Sequence, residues 1–175
     1  KLFADGTLNS RTAWMLTPYA DPLPGLPCGQ RMQSDEEMRA AMELTRELGL
    51  ELAVHAIGDA AVRKVLDAWE EGIKASRHQD FERGRHGLRI EHAELIDERD
   101  VGRFAGMGVV CSVQPCHLLS DIEALTRGVP RRLERVLPLR ELIDSGCRPG
   151  ELLWFGSDTP IVRPDPEDSV FAATK

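Results

Sequence analysis

Short apolar segments of strand length recur along this chain, and segments with helical periodicity separate them. Two of them, 109–113 and 152–156, are apolar almost throughout, which is typical of strands buried on both faces of a sheet. Strands that alternate with helices predict right-handed crossovers and therefore a parallel sheet. The predicted strands are 1–4, 51–55, 88–92, 109–113 and 152–156.

The predicted helices begin and end at recognisable capping residues. The first begins at Ser34, which forms a capping-box pattern with Glu37, and it ends at position 48 before Gly49. Further helices are predicted over 59–75, 97–107 and 139–145. Four prolines within 18–27 predict an irregular loop, and the prolines at 160, 164 and 166 predict an irregular tail.

An α/β chain with this pattern folds either as an open, doubly wound sheet or as a closed (β/α)8 barrel. No G-x-G-x-x-G turn follows a predicted strand, which weighs against an open sheet that binds a dinucleotide. A complete barrel needs eight βα units and typically about 250 residues, whereas these 175 residues supply roughly four and a half units. We therefore expect a partial TIM-type barrel, strands four to eight, with residues 1–175 as a single fragment of it.

The composition argues against several classes of partner. With 22 basic and 29 acidic side chains the formal net charge is −7, which disfavours binding to the phosphates of nucleic acid. Arg77, Arg83, Arg85 and Arg89 cluster, and we interpret them as part of a solvated loop. No apolar stretch is long enough to span a membrane bilayer. The four cysteines form no C-x-x-C pair and fit a reducing compartment, so a cytoplasmic location is expected.

Side chains that bind metals stand at the ends of the predicted strands. His55 and His92 each end a strand, and Asp158 follows the last strand after a Gly-Ser turn. A parallel barrel collects its chemistry at the carboxyl ends of its strands, and imidazole and carboxylate are ligands that a hydrolytic divalent ion prefers. Lys1 begins another apolar segment, and its amine can react with carbon dioxide to form a carbamate, an oxygen ligand able to bridge two metals.

Each of these residues also has an ordinary structural interpretation. Either histidine could be a hydrogen-bonded residue at a sheet edge, Asp158 could be a turn or N-cap residue, and Lys1 could be a charged terminus. Strand alternation points Glu91 away from the face of His92, so Glu91 is not expected to be a co-ligand. The joint placement of a lysine, two histidines and an aspartate at strand ends favours one shared metal site.

The motifs that contain these residues occur in an order that resembles the amidohydrolase superfamily. They are Lys1, HAIGD at 55–59, RIEHA at 89–93, SVQPCH at 112–117 and FGSD at 155–158. More narrowly, the chain is similar to the branch that includes N-substituted formamide deformylases. The resemblance implies a metallohydrolase barrel of the (β/α)8 type with one or two divalent ions, zinc first among them.

The resemblance also implies a role for each site residue. Lys1 would be the carbamylated lysine that closes strand four, and His55 and His92 would be metal ligands that close strands five and six. Asp158 would close strand eight as a metal ligand and general base. His117 follows strand seven and would be a catalytic and substrate-binding group, although an exposed loop histidine is an equally good interpretation.

Two features of that family are missing from the sequence. The family's first strand carries an H-x-H pair, and a small β-sandwich is built from both chain ends; neither occurs in these 175 residues. We therefore expect a fragment of a longer enzyme, inactive alone. Its open sheet edges would favour pairing with another copy, so a homo-oligomer is expected.

The expected reaction is hydrolysis of a non-peptide C–N bond, in an amide or an N-substituted formamide, by metal-activated water. Its partner would be a small amide-type molecule. Two alternatives stay open from the sequence. One is a non-catalytic, barrel-derived module with a regulatory or assembly role, and the other is an open α/β sheet that binds an anionic small molecule at a switch point.

Overall fold

Five parallel strands form one sheet in the computed structural model, which describes residues 1–75, 87–163 and 165–174. The strands lie side by side in chain order and helices connect them, so the expected α/β class with a parallel sheet is confirmed. Their bounds are β1 (Leu2–Phe3), β2 (Leu52–Ala56), β3 (Leu88–His92), β4 (Val110–Val113) and β5 (Leu153–Phe155).

The four predicted helices are present within a few residues of their expected bounds, and two more are added. The added helices follow β4 and β5, and short 3-10 turns occupy Pro115–His117 and Leu133–Arg135. The α-helices are α1 (Asp35–Glu47), α2 (Asp59–Ala75), α3 (Glu98–Met107), α4 (Leu118–Gly128), α5 (Leu139–Asp144) and α6 (Pro166–Thr174).

The caps of α1 and α3 follow from local chemistry. The Ser34 side chain accepts the N–H of Glu37 at 3.1 Å, and the Glu37 carboxylate accepts the N–H of Ser34 at 2.8 Å, so the predicted capping box is confirmed. Asp97 caps α3 by accepting the N–H of Arg99. Gly108 ends α3 at a φ of 65°, a left-handed conformation that suits glycine.

The predicted irregular tail was wrong over α6. The helix begins at Pro166, and proline is tolerated in the first helical turn because its missing N–H would have no intrahelical acceptor there. The carboxylate of Asp165 accepts the N–H of Glu167 at 3.0 Å and satisfies another of the free donors of that turn. The proline-rich segment 18–27 holds no regular helix or strand, as predicted.

The two faces of the sheet differ in character. One cross-strand row is apolar and packs into the core beneath the helices: Leu2, Val54, Ile90, Cys111 and Leu153. Phe104 of α3 and Leu66 of α2 are fully buried in the same core. The adjacent row, on the opposite face, consists of Phe3, His55, Glu91, Ser112 and Trp154, and three of these five side chains are polar. The polar side chains of these two rows therefore lie on the face away from the helices.

Of the predicted basic cluster, Arg77, Arg83 and Arg85 lie outside the described residues, whereas Arg89 lies on β3. No helix in the described part of the chain combines the length and apolar character needed to cross a membrane.

Candidate metal centre

A cavity of about 610 Å³ lies at the carboxyl ends of the strands. Its lining includes all five side chains that the sequence singles out: Lys1, His55, His92, His117 and Asp158. The structure therefore brings these residues together from strand ends and loops that lie far apart in the chain.

His92 reaches this cavity because the backbone turns at the end of β3. Regular alternation would put its side chain on the face opposite to His55, since His55 is in register with Glu91 and His92 is in register with Ala56. His92 instead adopts a φ of 73°, a left-handed conformation that is uncommon outside glycine. The two imidazole rings meet edge to face, with 4.5 Å between centroids. The left-handed backbone conformation therefore places the His92 ring in the site.

His55 is held from one side of its ring. Its Nε2 lies 3.0 Å from the carbonyl oxygen of Gly6 and therefore donates its N–H to that oxygen. The same atom lies 3.7 Å from a carboxylate oxygen of Asp5. A neutral ring that donates from Nε2 carries its lone pair on Nδ1, which is the atom left to bind a metal.

His117 and Asp158 approach each other from the loops that follow β4 and β5. Nε2 of His117 lies 3.9 Å from Oδ2 of Asp158. That Nε2 atom is buried and meets no hydrogen-bond partner within the described residues. Asp158 has a φ of 54°, so this loop also holds a non-glycine residue in the left-handed region.

Three of these groups form a donor set that fits a divalent ion. Nitrogen atoms of His92 and His117 and an oxygen of Asp158 all lie within 4.8 Å of one another. Two imidazoles and a carboxylate suit zinc and other first-row metals. The unpartnered Nε2 of His117 is the kind of buried atom that a metal or a bound substrate would satisfy. The roles of individual ligands stay predictions, and Lys1 and His55 line the same cavity.

The electrostatics of the site favour neutral imidazoles. Burial, together with the neighbouring His55, His117 and Lys1, lowers the pKa of His92 to about 3, against a smaller opposing effect of the Gln114 side chain. Burial also lowers the pKa of His55, although the hydrogen bond to Gly6 raises it. Neutral imidazole is the form that binds a metal.

Asp5 is a residue of this region that the sequence analysis did not single out. Its fully buried carboxylate accepts three backbone N–H groups, from Trp14 at 2.8 Å, Ile57 at 3.0 Å and Gly58 at 2.8 Å. Burial raises the pKa of Asp5 to about 7, although these hydrogen bonds lower it. The signal that could have found it is a carboxylate that directly follows the apolar segment of β1.

Gly58 and Asp59, which complete the HAIGD motif, position the backbone around the site. A Cβ atom at Gly58 would lie 2.0 Å from the carbonyl oxygen of Trp14, so only glycine admits that close approach. Asp59 accepts the N–H of Leu16 at 2.8 Å and binds Arg132 at 2.6 Å. Together these contacts hold the loop after β1 against the start of α2.

The same arrangement of strands and helices occurs in a solved structure. The chain is similar to an uncharacterized metal-dependent hydrolase from Pyrococcus horikoshii, with a TM-score of 0.80 and 35% sequence identity over 98% of this chain and 32% of that chain.

The sequence model of the amidohydrolase family matches residues 1–174, and the chain belongs to that family. The Bacillus subtilis protein YtcJ is 36% identical over 167 residues, which cover 95% of this chain and 29% of YtcJ. An N-substituted formamide deformylase of Arthrobacter pascens is 25% identical over 141 residues, 72% of this chain and 25% of that protein. The chain thus spans less than a third of the length of these relatives. The predicted superfamily is confirmed, and the narrower deformylase branch stays a prediction.

Proposed function

We propose that this chain belongs to a metal-dependent hydrolase that cleaves the C–N bond of an amide or an N-substituted formamide. The observation that carries the proposal is the set of His92, His117 and Asp158, whose donor atoms lie within 4.8 Å of one another at the carboxyl ends of parallel strands. Membership of the amidohydrolase family and similarity to a metal-dependent hydrolase support it.

We further propose that the sheet forms strands four to eight of a (β/α)8 barrel. The strand order β1 to β5 follows the chain without reversal, so the described sheet has no topological switch point of the kind that open α/β sheets use. This order argues against the open-sheet alternative. Pairing of the edge strands β1 and β5 with another copy is the corresponding proposal for oligomeric state.

Lys1 as a carbamate, His55, His92 and Asp158 would hold one or two divalent ions, zinc being the first candidate. His117, whose ring nitrogen belongs to the same 4.8 Å group, would contact the substrate beside the ions rather than bind them. A bound ion supplies a Lewis acid that polarises the scissile carbonyl and acidifies the attacking water.

The protein's own groups would then move the proton and orient the substrate. Asp158 accepts a proton from the attacking water as the water oxygen bonds to the carbonyl carbon. His117 donates a hydrogen bond to the carbonyl oxygen while negative charge develops there. Asp158 returns the proton to the amine nitrogen as the C–N bond breaks, and the products are an amine and a carboxylic acid.

The test uses the full-length protein, its metal content and a panel of N-formyl and N-acyl amines. We expect Asp158→Asn to lower turnover by about 10²–10⁴-fold, the range that a general base contributes, without changing the fold. Asp144→Asn is the matched control, because Asp144 lies on α5 with its side chain 65% exposed and does not line the cavity.

Circular dichroism and the unfolding midpoint report whether each variant keeps its fold. Near-normal turnover in folded, metal-loaded Asp158→Asn would overturn the assignment of the base. A full-length protein that retains no divalent metal and hydrolyses no member of the panel would favour the non-catalytic module instead.

A further inference from the structure

Gln114 is a buried amide that the proposed mechanism does not use. It follows β4 directly, in the Gln114-Pro115-Cys116-His117 segment, and only 6% of it is exposed. A buried amide side chain normally satisfies both its N–H groups and its oxygen, because an unpaired buried polar atom is costly.

The orientation of the Gln114 amide is set by the groups around its nitrogen. Nε2 donates to the carbonyl oxygen of Ser112 at 3.2 Å and to Oε2 of Glu91 at 3.5 Å. Glu91 is in turn held by Arg89, whose Nε donates to Oε1 at 2.6 Å. The guanidinium of Arg89 lies 5.6 Å from the ring centroid of Trp154. A chain of contacts across β3, β4 and β5 therefore fixes which end of the amide is the nitrogen.

This orientation leaves the oxygen of the amide without a partner. Oε1 of Gln114 is buried and has no hydrogen-bond partner among the described residues. The ring of His92 is a nearby group that carries a suitable donor: Glu91 is in register with Ser112, so His92 and Gln114 follow that pair at the ends of the neighbouring strands β3 and β4. The acceptor and a histidine of the candidate metal centre thus follow the carboxyl ends of two adjacent strands.

We propose that Gln114 is a positioning residue for His92, with Oε1 accepting the N–H of one ring nitrogen so that the other presents its lone pair to the metal. The inference rests on the proposed function, since it assigns a partner to one of the proposed ligands. A ligating imidazole is neutral and has a single N–H. A fixed acceptor for that N–H selects the tautomer and the ring orientation, and the loss of such a partner typically lowers metal affinity 10–100-fold.

The experiment measures Zn²⁺ affinity of the full-length protein by competition with a chromophoric chelator. Gln114→Leu keeps a similar volume and removes the acceptor, and we expect affinity to fall 10–100-fold. If the leucine variant does not fold, Gln114→Asn replaces it: the shorter side chain moves the oxygen away by one methylene, and we expect Zn²⁺ affinity to fall as well. Gln114→Glu keeps an acceptor at the same reach, so it should bind Zn²⁺ more tightly than the leucine variant. Gln30→Leu, at an exposed loop position, is the matched control.

A second readout separates positioning from a general effect on the fold. The visible absorption bands of the Co²⁺-substituted protein report the ligand geometry, and we expect them to change in Gln114→Leu while the far-UV circular dichroism spectrum of the metal-free protein stays close to that of the wild type. Unchanged Zn²⁺ affinity in folded Gln114→Leu or Gln114→Asn would overturn the positioning role and leave the proposed function intact. A wild-type protein that binds no Zn²⁺ would overturn both.

Discussion

The ion pair between Asp59 and Arg132 offers a test of how the loops around the site are held. Arg132 donates to Oδ2 of Asp59 at 2.6 Å, and the two side chains are 19% and 6% exposed. Removing the arginine would leave the carboxylate buried without its counter-ion, an outcome that typically costs about 3–5 kcal/mol. Asp59 keeps the N–H groups of Leu16 and Ala60 and a place at the first turn of α2, which offsets part of that loss. We therefore expect Arg132→Met to lower the free energy of unfolding by about 2–3 kcal/mol.

A matched control separates burial from the ion pair itself. Arg127 binds Glu123 at 2.7 Å, almost the same distance, but these side chains are 68% and 69% exposed. Surface pairs of this kind contribute well below about 1 kcal/mol, so Arg127→Met should be close to the wild type. Urea unfolding measures the free energy of unfolding of both variants, provided that its dependence on urea concentration is the same as in the wild type. Adding Asp59→Asn to Arg132→Met should recover part of the loss, because the unpaired buried charge is gone.

Equal losses of stability in Arg132→Met and Arg127→Met would refute the reasoning, since the two pairs differ mainly in exposure. A double variant that is less stable than Arg132→Met alone would also contradict it.

Three further predictions concern the same region. Gly58→Ala should lower the free energy of unfolding by at least about 2 kcal/mol, because its Cβ would lie 2.0 Å from the Trp14 carbonyl oxygen; Gly72→Ala, whose Cβ meets nothing within 4 Å, should be neutral or slightly stabilising. Burial raises the pKa of Glu94 from 4.5 to about 8, so the native state holds a proton that the unfolded chain releases, and the wild type should lose stability relative to Glu94→Gln as the pH rises through that window. Urea unfolding at pH 5 and pH 9 measures this, and a constant difference would contradict it. A strong chelator should abolish any amidase activity of the full-length protein, and added Zn²⁺ should restore it.

Much of the fold could be predicted because its signals are local. Apolar segments of strand length, the capping box at Ser34 and Glu37 and the glycine at position 108 are each read from a few neighbouring residues. Helix α6 was missed for the opposite reason: proline at position 166 suggests a break, and only its place in a first helical turn makes it compatible with a helix.

The sequence by itself determined the alternation of strands and helices and the kinds of side chain that stand at the strand ends, because both depend on residue type and periodicity along the chain. Only the tertiary structure decided how those side chains meet. The left-handed backbone at His92 brings that ring to the face that carries His55, and the approach of His117 to Asp158 depends on two loops that are joined through the sheet. The partners of Asp5 and Gln114 likewise lie on other strands and loops. A backbone torsion at a strand end and contacts between distant segments leave no periodic trace in a sequence, and these features shape the candidate metal centre.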